Sequence, residues 1–219
     1  VHPDAFHALA RSSPWRWTAV HLRHRSSWAG TVEAWLTRPD GVRLVGPDGA
    51  PVPRTLVGQT DRPSGPWSPP AGATFRPDGL VATRPGDSTY AACEHGDGLY
   101  WTNYSWLAML DPVELSHHVD VSDLRVVEVA GREAWAARLV PRLGYDPRCG
   151  GNCCELLWSE AGLRADFPSD DDVPAAWRGR DYPSAYDVAL DAVTGIVVRS
   201  HPVGGTGAPW LENDIVSAG

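Results

Sequence analysis

The chain has 219 residues, with 19 basic side chains, all arginine, against 27 acidic ones, for a formal net charge of −8. That balance excludes a nucleic-acid backbone binder, which needs a basic face, and 42% apolar with 21% charged residues exclude a disordered chain. Twenty prolines and 22 glycines disfavour long helices, and no apolar run reaches the ~20 residues of a membrane span.

The length predicts a single domain over 1–219. Residues 3–11 read as a short helix, with Pro3 at its start and Phe6, Leu9 and Ala10 on one face. Residues 15–24 alternate as a strand, with Val20 and Leu22 on one side and Trp15 and Trp17 on the other. Residues 31–37 form a second strand, and the Arg38-Pro39-Asp40-Gly41 turn returns the chain into 42–45. Residues 51–75 make a long surface loop, in a Pro- and Gly-rich stretch without periodicity. Short strands follow at 80–83, 89–93 and 98–101. Residues 103–118 are helical in two pieces, with Trp106, Leu107 and Leu110 on one face and Pro112 interrupting.

The last third holds strands at 124–129 and 132–140, then a hairpin of 186–190 and 196–200 across Asp191–Gly195, and an edge strand at 213–217. Between them, 145–183 is an insertion carrying three cysteines. Adjacent strands without β-α-β alternation predict an α+β fold. Its core is one large curved antiparallel sheet, a half-barrel, with a few short helices over the concave face.

Four cysteines are too few for a disulfide scaffold at this length. Cys149, Cys153 and Cys154 share a glycine-rich loop, and Cys93 or His95 completes a four-ligand set for structural zinc. A disulfide, for instance of Cys93 with one of the loop cysteines, and unpaired buried thiols are the competing readings and are preferred to zinc, though spacing alone does not decide. His21 and His24 lie three apart on a strand and so face opposite sides, which disfavours a joint metal site. The sequence holds no nucleophile-elbow, zinc-protease, Walker or dinucleotide-binding motif, which favours a binding module over an unrecognised hydrolase. Eleven tryptophans either fill the core or line a ligand cavity.

The stretch Trp28-Ala29-Gly30-Thr31-Val32, the hairpin VVEVAGREAWAARLVP at 126–141 and YDVALDAVTGIVVRSH at 186–201 resemble the lipoprotein-localisation-factor superfamily. That grouping comprises LolA, LppX/LprG and the N-terminal domain of RseB. The resemblance covers about two-thirds of the chain. It implies a half-open sheet with an apolar cavity under a helical lid. It also implies a non-catalytic role in binding an apolar, lipid-like molecule or a protein partner. On that reading, Trp17, Val20, Leu22, Trp35, Trp106 and Leu110 are the candidate cavity residues. The N-terminal stretch lacks the charged-then-apolar pattern of a leader. A cytoplasmic protein is therefore expected, the alternative being an exported one whose leader this chain does not carry.

Overall fold

The computed structural model describes residues 1–53, 68–85, 99–145, 147 and 155–219. Ten strands appear among them: β1 (Ala19–Ser26), β2 (Gly30–Thr37), β3 (Gly41–Val45), β4 (Thr74–Phe75), β5 (Val81–Thr83), β6 (Val119–Val129), β7 (Arg132–Pro141), β8 (Ala185–Asp191), β9 (Val197–Val203) and β10 (Leu211–Ala218). Eight of them form one antiparallel sheet in the order β3-β2-β1-β10-β9-β8-β7-β6, and β4 with β5 forms a separate ribbon. The sheet is open, with β3 and β6 at its edges. Three short α-helices accompany it among the described residues, α1 (Pro3–Ser12), α2 (Tyr104–Leu110) and α3 (Glu160–Asp166). The α+β class and the large antiparallel sheet follow the sequence expectation.

The last strand departs from that expectation. β10 is not an edge: it lies between β1 and β9 and joins the two meanders into one sheet. Its Glu, Asn and Asp residues look like edge protection. In fact Glu212 and Asp214 occupy the solvated face, where Arg25 pairs Glu212 at 2.8 Å, while Leu211, Asn213 and Ile215 point inward and are buried.

Other boundaries shift for local reasons. Trp15 sits in a 3-10 turn (Ser13–Trp15), and β1 starts only at Ala19. β6 begins five residues earlier than the apolar run, at Val119 rather than Leu124. A bulge at Ser122/Arg125, with Asp123 at φ 50°, breaks the alternation that the sequence reading relied on. Residues 98–101 give no strand among those described, only an isolated bridge between Trp101 and Asn103. The expected strand at 89–93 lies outside the described residues. The insertion contains α3, capped by the Ser159 hydroxyl accepting from the Gly162 amide at 3.1 Å.

Helix α1 starts at Pro3, where a missing N–H leaves nothing unpaired. It buries Phe6 and Leu9 completely. Its C-terminal end is bound to two other elements by hydroxyls. Ser12 Oγ accepts from the Val81 amide of β5 at 2.7 Å, and Ser13 Oγ donates to the Leu110 carbonyl at the end of α2 at 2.8 Å. Arg84 adds a two-point pair with the buried Asp111, which ends α2, at 2.7 and 3.2 Å.

The β8–β9 turn packs against the same place. Asp191 Oδ1 accepts from the Val193 and Thr194 amides and from the Thr194 hydroxyl, at 3.2, 2.7 and 2.9 Å. Its other oxygen takes Arg132 Nε at 2.7 Å. Burial works to raise the Asp191 pKa, but these bonds outweigh it and hold the carboxyl below its usual range.

Candidate functional site on the concave face

β1 alternates, so Val20, Leu22, His24 and Ser26 face the concave side and are buried, while Arg23 and Arg25 are exposed on the other. A histidine in that inward row is the one residue of the four that carries an ionisable side chain. His24 has no solvent exposure. Three indoles surround it: Trp106 of α2 at 5.2 Å between ring centroids, Trp28 of the β1–β2 turn at 5.7 Å, and Trp101 at 6.4 Å. Trp101 and Trp106 meet edge to face at 5.0 Å, and Trp106 Nε1 donates to the Leu99 carbonyl at 2.8 Å.

His24 is fixed by Asn213 of β10. The Asn213 Nδ2 donates to the Val197 carbonyl at 2.6 Å and lies 3.3 Å from Met109 Sδ, so its Oδ1 faces the imidazole. His24 Nδ1 is 2.8 Å from that oxygen and therefore carries the proton. Burial pushes the imidazole pKa down to about 4, with the Asn213 bond opposing. At neutral pH the ring is thus uncharged, and Nε2 holds a lone pair.

Among the described residues that lone pair has no hydrogen-bond partner, and neither does Trp28 Nε1. Two more buried unpartnered atoms, Thr102 Oγ1 and Asn103 Oδ1, follow Trp101 directly in the chain. Thr102 also holds φ 55°, a left-handed conformation that a β-branched residue rarely adopts. Trp28 is only half-buried, which puts it on the solvent side of the cluster.

The sequence-selected cavity residues separate into two groups. Trp17, Val20, Leu22, Trp106 and Leu110 are all buried in the core. Of these, Trp106 touches the His24 ring. Trp35 lies on the outer face of β2, stacked on His21 at 4.5 Å and covered by the Arg43 guanidinium at 4.2 Å. His21 there meets Glu33 at 2.8 Å, so His21 and His24 do face opposite sides of β1. The sequence reading weighed His24 only as a metal ligand and did not single out Asn213 or Trp101. The available signal was the alternation itself, which places a polar imidazole in a row with Val20 and Leu22.

Cys93, His95, Cys149, Cys153 and Cys154 all lie outside the described residues. Among the described residues no cluster of three or more His, Cys, Asp or Glu side chains is placed to hold a metal. Both flanks of the 149–154 loop are anchored, because buried Glu114 Oε1 accepts from the Tyr145 hydroxyl at 2.8 Å and the Leu156 amide at 2.7 Å. Burial and the nearby Glu114 carboxylate push the Tyr145 phenol well up, so it stays a donor.

A separate open cleft of about 370 Å³ lies at the end of α1, lined by Trp15, Arg16, Phe75 and Val193 among others. Arg16 is engaged there with the Val193 carbonyl at 2.5 Å. No helix among the described residues is long and apolar enough to cross a membrane.

No family model and no curated protein matches this chain. Among solved structures it is similar to the lipoprotein LppX of Mycobacterium tuberculosis. The two are 11% identical with a TM-score of 0.40, over 98% of this chain and 94% of that one.

Proposed function

We propose that this chain is a non-catalytic binding module that takes an apolar, lipid-like ligand at the indole wall of its concave face. The observation that carries the reading is the company His24 keeps. Small-molecule sites combine a mostly apolar, aromatic lining with a few converging polar groups. Trp28, Trp101 and Trp106 supply the lining, and the unpaired His24 Nε2 and Trp28 Nε1 supply the polar groups. A buried polar atom left without a partner costs about 1–3 kcal/mol. A sequence that accepts this at neighbouring residues is spending stability where a guest can restore it.

Access runs past Trp28. Trp106 has no exposed surface, so a ligand reaches it only after the wall opens. The half-buried Trp28, on the turn before Gly30 at φ +69°, is the most solvent-exposed member of the wall and the one whose movement would open it. Catalysis is not favoured, because among the described residues no hydroxyl or thiol is hydrogen-bonded to His24 Nε2.

The test is titration of the full chain with the neutral dye N-phenyl-1-naphthylamine, whose emission rises in apolar surroundings. Saturable, equimolar binding that weakens roughly tenfold in Trp28→Ala is expected from the lost aromatic contact. Absence of saturable binding, or binding indifferent to Trp28, contradicts the reading.

A further inference from the structure

We propose that His24 Nε2 is the acceptor for a neutral hydroxyl on that ligand, so that the site selects long-chain alcohols over carboxylates. The inference rests on the binding reading above and adds the chemical class of the ligand.

The Asn213 amide sets the polarity of the site. Its Nδ2 is committed to the Val197 carbonyl, which leaves only its oxygen for His24. The proton is therefore held at Nδ1, and Nε2 presents a lone pair. What complements a lone pair in an apolar wall is a donor. A carboxylate is an acceptor only at neutral pH and meets the lone pair with repulsion. It would also bring a charge against indoles and a neutral imidazole, where burial without a counter-ion is heavily disfavoured. An alcohol carries both functions on one oxygen. Its O–H donates to His24 Nε2, which has no partner among the described residues, and its oxygen keeps lone pairs for a donor such as an indole N–H. The alkyl chain then lies against the faces of Trp101 and Trp106.

An ammonium also donates, and indoles attract cations. It brings a full charge into a wall whose one ionisable ring is neutral, and the alcohol is the class the geometry favours.

The experiment uses the full chain labelled with ¹⁵N at histidine. Decanol, decanoate and decylamine each compete against N-phenyl-1-naphthylamine, and the His24 Nε2 signal is followed. Decanol is expected to displace the dye at about one-tenth the concentration of decanoate, the effect of one hydrogen bond. The Nε2 resonance should move upfield with decanol alone. In His24→Phe, which keeps a ring but has no acceptor, the preference of decanol over decanoate should vanish. Equal displacement by decanol and decanoate with an unmoved Nε2 signal overturns the inference and leaves the binding reading intact. Preferential binding of decylamine overturns it in favour of a cation. An Nε2 signal already at its hydrogen-bonded position before decanol is added overturns it too, since an internal water then holds the seat. Failure of the dye to bind at all removes the underlying reading as well. Should His24→Phe not fold, the ¹⁵N shifts of the unsubstituted chain decide alone.

Discussion

His24 Nδ1 and Asn213 Oδ1 meet at 2.8 Å across 189 residues of chain, at the seam where the first strand pairs with the last. The bond joins the N-terminal meander to the C-terminal one inside the core, and both partners have no solvent exposure. Replacing Asn213 by leucine keeps the volume and leaves two buried groups unpaired, His24 Nδ1–H and the Val197 carbonyl. Urea denaturation should show a loss of roughly 2–4 kcal/mol. A loss below about 0.5 kcal/mol, the scale of surface substitutions, would mean that the pair does not tie the seam.

Stability should fall in acid through His24. Its folded pKa of about 4 lies below the ordinary value of 6.5, so the unfolded chain takes up a proton first as pH drops. The contribution is absent above pH 6.5, where the ring is neutral in both states, and the loss accumulates from there down to about pH 4. The full loss is about 3 kcal/mol from the size of the shift. Denaturation of the parent and of His24→Phe across that range isolates it, because carboxylates titrate in both chains. The difference between the two chains should change by that amount, and parallel curves would place His24 in contact with water.

Gly195 tests the contact between the β8–β9 turn and α1. It holds φ +74°, and a Cβ there would come within 2.8 Å of the Leu9 carbonyl oxygen and 3.0 Å of Ser13 Cβ. Gly131, in the β6–β7 turn at φ +79°, has nothing within 4 Å of the same position. Gly131→Ala should cost about 1–2 kcal/mol from backbone conformation alone. Gly195→Ala should cost about 1–3 kcal/mol more, because helix backbone must shift. Equal melting temperatures for the two variants would show that the turn does not press on α1.

Much of this fold is legible locally. The Arg38–Gly41 turn and the Asp191–Gly195 turn use residues whose chemistry sets the chain reversal, and both hairpins form where those residues stand. What is not legible depends on partners far away in sequence. LENDIVSA reads as an edge strand until β1 supplies inward contacts for Asn213. Trp35 and Trp106 look alike as tryptophans near apolar residues, yet strand parity sends Trp35 to the outer face and helix α2 buries Trp106. His24 looks like a strand histidine, and its character as an unpaired acceptor exists only once Asn213 fixes the tautomer.

The most direct measurement is a crystal structure of the full chain grown with decanol. The account predicts alkyl density along Trp28, Trp101 and Trp106, with the alcohol oxygen within hydrogen-bond distance of His24 Nε2 and the Trp28 ring displaced from its present contact at 5.7 Å. An unchanged indole wall, with decanol only in the cleft beside Phe75 and Val193 or bound nowhere, would contradict it.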